Sequence, residues 1–104
     1  MDYQSKLASN DLTILFEAIL QLKTVEECYR FFEDLSTIKE LQDMGQRFMV
    51  AKMLFDKKPY YRISEQTKAS TATISRVNKS LVYGAEGYKL ILERLKSQIK
   101  ANPE

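Results

Sequence analysis

Apolar residues in this chain recur every third or fourth position and nowhere alternate one-by-one with polar ones. That period puts them on one face of helices, and with no alternating run there is no half-buried strand to pair. The chain is therefore read as all-α, with six helical segments. In the first, residues 11–22, Leu12, Leu15, Phe16, Ile19 and Leu22 share a face, with Asn10 as the expected N-cap. Thr24-Val25-Glu26-Glu27 has the form of a capping box and opens the second segment. Val25, Cys28, Tyr29, Phe32 and Leu35 are its expected buried face. Thr37-Ile38-Lys39-Glu40 repeats the pattern and opens the third, residues 38–55.

The third segment is apolar on more than one side. Leu41, Met44, Phe48, Ala51 and Phe55 form one stripe, and Val50, Met53 and Leu54 another. Such a helix must be covered from several directions, and a second subunit is one source of cover. Gly45 within it costs about 1 kcal/mol relative to alanine. It marks either a close approach by a backbone or ligand, or a tolerated glycine. Lys57-Lys58-Pro59 is expected to end the helix, since proline cannot continue it. A short helix over 60–67, a break at Lys68-Ala69-Ser70 and a second helix over 71–81 follow. The last segment, 86–99, carries Tyr88, Ile91, Leu92, Leu95 and Ile99 as its buried stripe, and residues 100–104 are expected to fray. The length, 104 residues, fits one domain with a thin core.

Composition excludes whole classes of chemistry. There is no histidine and a single cysteine. Zinc and haem sites lack ligands, and Ser-His-Asp or Cys-His catalysis lacks its base. No cluster of nucleophile, acid and base appears, so an enzyme, a metal or a cofactor is not expected. Cys28 cannot form an internal disulfide and is read as a buried, inert thiol. Residues 1–9 are too polar for a signal peptide, and no apolar run nears the ~20 residues of a membrane span. A cytoplasmic protein is expected.

The net charge of +2 conceals a segregation. Residues 1–46 hold four basic and nine acidic side chains, net −5. Residues 47–83 hold eight basic and two acidic, net +6; residues 84–104 hold four and three, net +1. A basic block of this kind is what a phosphate-facing surface requires.

Inside the block, residues 60–81 read as two helices and a tight turn, a helix-turn-helix spanning about 59–81. Ile63 and Thr67 face inward on the first helix. Ala69 is small where the chain turns, Ser70 is an N-cap, and Ile74, Val77 and Leu81 face inward on the second. The outward face of the second helix is Thr71, Thr73, Ser75, Arg76, Asn78 and Lys79. These residues donate hydrogen bonds, carry no carboxylate, and start short-chained, so the backbone can approach DNA. The expected DNA-binding residues are Lys57, Lys58, Tyr61, Ser64, Lys68, Ser70, Thr71, Ala72, Thr73, Ser75, Arg76 and Lys79. Lysines would meet phosphates; Thr71, Thr73, Ser75 and Arg76 would approach base edges. The rival reading is a protein-interaction module whose basic face meets an acidic partner.

Thr71-Ala-Thr-Ile-Ser-Arg76, with Asn78 and Ser80-Leu81, resembles the recognition helix of the Trp repressor family. Thr37-x-x-Glu40 and Met44-Gly45-x-Arg47 align with that family without a gap, and the likeness is closest to its YerC/YecD-type subgroup. The resemblance implies a six-helix fold and an intertwined homodimer, with residues 11–55 and 86–99 as dimerisation helices. It implies a transcriptional repressor of double-stranded DNA with half-sites about 34 Å apart. It carries over a ligand site at Thr37, Arg47, Arg76 and Ser80. The departure is Val77, where the Trp repressor has glycine beside the indole. A valine there fills ring space, so the resemblance does not bring tryptophan with it. It leaves either another small-molecule effector or none.

Overall fold

A computed structural model describes residues 3–101, with side chains to Gln98. The described residues form six helices and no strand: α1 (Asn10–Ile19), α2 (Val25–Leu35), α3 (Ile38–Phe55), α4 (Tyr60–Thr67), α5 (Thr71–Tyr83) and α6 (Gly87–Ala101). No described helix is long and apolar enough to cross a membrane. The chain forms two compact units, Met1–Ile38 and Lys39–Glu104.

In the first unit, the hydroxyl of Ser9, not Asn10, caps α1 by accepting from the Leu12 amide at 3.1 Å. Asn10 is already helical, and α1 stops at Ile19, short of the expected residue 22. Leu20, Gln21 and Leu22 close the end as a turn, with the Leu22 amide on the Ile19 carbonyl. At α2 the Thr24 hydroxyl accepts from the Glu27 amide at 3.1 Å, as the capping box requires. The return bond differs: the Glu27 carboxylate accepts from the Lys23 amide, one residue before the cap, at 2.8 Å. The expected buried face of α2 is open. Val25, Tyr29 and Leu35 are exposed, and so is Cys28, which corrects its reading as a buried thiol. An amphipathic period reports that a face is apolar, not what covers it within one chain.

The second unit holds the core. Val50, Ala51 and Met53 of α3, Ile63 of α4, Ala69 of the turn, Ile74 and Val77 of α5, and Leu92 of α6 form one buried cluster. Phe48, Leu54, Phe55 and Tyr88 pack against it. Each fully buried branched side chain contributes about 1.5–3 kcal/mol. The α3 stripe is thus shifted: Met44 is exposed, while Val50 and Met53 are buried. On α6, Ile91 and Leu95 are exposed and Leu92 alone of the expected stripe is fully buried; the Ile99 side chain lies outside the described residues. The backbone of α6 continues through Lys100 and Ala101, where fraying was expected, and residues 102–104 lie outside the described part.

Lysine, not proline, ends α3. Lys57 adopts the left-handed conformation (φ 64°). The Lys57 amide donates to the Leu54 carbonyl and the Lys58 amide to the Met53 carbonyl. This is the Schellman closure, usually built on glycine. Pro59 comes two residues later and opens α4 from an extended conformation. α5 runs two residues beyond the expected 81 and stops at Gly84, where a Cβ would run into the Ser80 carbonyl oxygen. Glu86, also left-handed (φ 68°), precedes α6.

Candidate nucleic-acid interface

The α4–α5 pair is built around a three-residue turn whose polar groups are nearly all engaged. Lys68 takes the left-handed conformation (φ 63°), and its amide donates to the Ser64 carbonyl. The Thr67 hydroxyl donates to the Ile63 carbonyl at 2.7 Å and accepts from the Ala69 amide at 3.2 Å. The Ser64 hydroxyl donates to the Ala69 carbonyl at 3.3 Å. From α3, Gln46 Nε2 donates to the Thr67 carbonyl at 3.0 Å. Ala69 itself is buried, which explains why the turn needs a small residue.

Ser70 caps α5. Its hydroxyl accepts from the Thr73 amide at 3.1 Å and donates to Thr73 Oγ1 at 3.0 Å. Ser70 is thereby committed to the helix end. Thr73 Oγ1 accepts that proton and keeps its own to donate. With Thr73 capped and the Ile74 amide bonded to the Ser70 carbonyl, the amides of Thr71 and Ala72 are left over at the helix start. These two orphan donors sit where the helix dipole favours an anion.

Along α5 the buried residues Ile74, Val77 and Leu81 leave Thr71, Ala72, Ser75, Arg76, Lys79 and Ser80 exposed, with Thr73 and Asn78 half-buried. Lys57, Lys58, Tyr61 and Lys68 are exposed as well. The ion pairs described are Glu26–Arg30, Lys39–Asp43 and Lys52–Asp56. Among the described residues, the lysines at 57, 58, 68 and 79 and the arginines at 47, 62 and 76 therefore remain without a carboxylate partner. Asp56, one of two acids in the basic block, is held by Lys52 at 3.5 Å.

The expected site residues thus divide. Thr71, Ala72, Thr73, Ser75, Arg76 and Lys79 share α5, flanked in sequence by Lys57, Lys58, Tyr61 and Lys68. Ser64 and Ser70 give their hydroxyl protons to the Ala69 carbonyl and to Thr73 Oγ1, so both brace the α4–α5 joint. Gln46 was missed: a glutamine in a helix interior carries no periodic or capping signal, and its partner lies 21 residues away. Of the four residues carried over as a ligand site, Arg47, Arg76 and Ser80 are exposed on α3 and α5, and Thr37 precedes α3. Val77 is buried among Val50, Ala51 and Ile74. A groove of about 270 Å³ opens elsewhere, lined by Gly45, Gln46, Met49, Gln66 and Thr67, and none of those four residues lines it.

The family model described as Trp repressor protein matches residues 10–96. The uncharacterized protein YerC of Bacillus subtilis (strain 168) is 52% identical over 91 residues, 88% of each chain. A solved TrpR-like protein from Eubacterium eligens ATCC 27750 is 54% identical and superposes with a TM-score of 0.84, covering 88% of this chain and 94% of its own. A Staphylococcus aureus protein of solved structure is 48% identical, with a TM-score of 0.83 over 88% and 91% of the two chains. These likenesses accord with the six-helix, all-α fold.

Proposed function

The chain belongs to the Trp repressor family, and from that premise we propose that it is a sequence-specific, homodimeric repressor of transcription. In this reading α4, its turn and α5 are the helix-turn-helix, and α5 enters the major groove of double-stranded DNA. The observation that carries the reading is the exposed face of α5: hydroxyls, Arg76 and Lys79, no carboxylate, and two unbonded amides at its start. Lys57, Lys58, Lys68 and Lys79 meet phosphates, with Tyr61 and the Thr71 and Ala72 amides on the flanking backbone. Thr71, Thr73, Ser75 and Arg76 approach base edges.

Tryptophan is not the effector in this reading. Val77, 2% exposed, stands where the repressor has the glycine beside its indole, and a valine side chain takes up ring space there. Either the heads are held in place by their own packing, or another small molecule acts through Thr37, Arg47, Arg76 and Ser80.

Selection from random duplexes at two salt concentrations tests the proposal, with wild type and Thr73→Ala side by side. The expected result is enrichment of one palindrome by wild type and its loss in the variant. Salt-sensitive binding without enrichment reduces the site to a basic surface. Failure to bind at either salt transfers the basic face to an acidic protein partner.

A further inference from the structure

We infer that Gln46 is a positioning residue for DNA recognition, fixing the angle of the reading helix by tying the α4–α5 turn to α3. The inference rests on the DNA-binding reading given above. Packing of Ile63, Ile74 and Val77 on Val50 and Ala51 sets how far α4 and α5 stand from α3. It narrows their tilt only to within about 15–20°, the scatter that interlocking side chains allow. A hydrogen bond is directional, and Gln46 Nε2 reaches the Thr67 carbonyl at 3.0 Å.

The acceptor is well chosen. Thr67 is the last residue of α4, so its carbonyl has no intrahelical donor. The next residue, Lys68, holds an unfavourable left-handed conformation that surrounding contacts must maintain. The Thr67 hydroxyl already grips the Ala69 amide, and Ser64 the Ala69 carbonyl. Those two bonds are local, and they hold the turn's shape without relating it to α3. Gln46 supplies that relation. Gly45 beside it leaves open space, and both residues line one groove with Met49, Gln66 and Thr67.

The test compares wild type, Gln46→Met and Gln66→Met. Methionine keeps length, helix propensity and neutrality while removing the donor. Gln66 lines the same groove with no side-chain hydrogen bond among the described residues and serves as the control. The Thr67 carbonyl carbon resonance should move in Gln46→Met and stay in Gln66→Met, with helix content by circular dichroism unchanged in both. Affinity for the selected palindrome should fall about fivefold in Gln46→Met, the equivalent of one ordinary hydrogen bond. Affinity for random duplex should stay within about twofold, since no phosphate contact is lost. An unmoved Thr67 resonance overturns the link. Wild-type affinity for the palindrome, or equal loss on both duplexes, overturns the positioning role while leaving DNA recognition intact. A wild type with no sequence preference overturns the DNA reading, and the inference with it.

Discussion

Three non-glycine residues, Lys57, Lys68 and Glu86, sit at positive φ, each at a joint between helices. A side chain in that conformation costs about 1–2 kcal/mol relative to the right-handed one. Glycine would avoid the cost, and in the DNA-binding reading the lysines at 57 and 68 are there for their charge. Lys68→Gly should therefore separate stability from function. The unfolding free energy should rise by up to about 1 kcal/mol, the gain from relaxed strain offset in part by glycine's entropy. Affinity for all duplexes should fall together, and the slope of log affinity against log salt should drop by about one. Denaturant titration and salt-dependent binding check the two halves. An unchanged salt slope would mean that Lys68 meets no phosphate. Ser70 argues the other way: Ser70→Ala removes the cap from α5 and should cost about 1 kcal/mol in the same titration. Val77→Ala leaves a cavity in the core cluster and should cost about 2 kcal/mol.

At the scale of elements, the helices were legible where a cap and a breaker bracket an apolar period. α3 and α4 begin and end at the expected residues, and α5 begins at Thr71 behind Ser70, as its cap dictates. The ends of α1 and α5 were not legible. Ser9 and Asn10 are both good caps, and only the chain's path decides between them; α5 runs on to Gly84 because the backbone there closes against the Ser80 carbonyl, leaving no room for a Cβ. The site was legible as a face of α5, because a polar stripe opposite Ile74, Val77 and Leu81 follows from the helical period alone. Its bracing was not, since Gln46 and the turn come together only in the fold. The sequence at Gly45 fits either a close approach or a tolerated glycine, and among the described residues no neighbour lies within 4 Å of a Cβ there. Gly45→Ala should accordingly raise the unfolding free energy by about 1 kcal/mol through helix propensity and leave DNA affinity unchanged. Destabilisation, read by the same denaturant titration, would instead place a second backbone or a ligand against α3.

At the scale of the whole molecule, the buried core cluster draws on residues 50–92, while apolar side chains face solvent on every helix, most of all on α1, α2 and α6. Ile14 and Phe16 on α1 with Leu20 at its C-cap, Val25, Tyr29 and Leu35 on α2, and Leu90, Ile91 and Leu95 on α6 are all exposed. Isolated exposed apolar residues need no explanation, but this many on amphipathic helices is a demand for cover. In the proposed homodimer a second copy supplies that cover and also doubles the reading head. One head makes few phosphate contacts; two linked heads gain from effective concentration, and only then does a palindrome bind tightly. Sedimentation should therefore find a particle of twice the 12.1 kDa chain mass. The substitutions Leu20→Glu and Val25→Glu, made together, place charges where the side chains are 80% and 74% exposed, so they burden the isolated subunit little. In the dimer the same charges would be buried without partners, at a cost of several kcal/mol. The variant should sediment as a monomer, lose affinity for the palindrome by a hundredfold or so, and keep weak, salt-sensitive binding to random duplex through each single α5. A variant that stays dimeric would move the interface to α6 and α3. A monomeric variant with full affinity for the palindrome would show that one α5 reads the site alone and that the exposed faces of α1 and α2 serve some other partner.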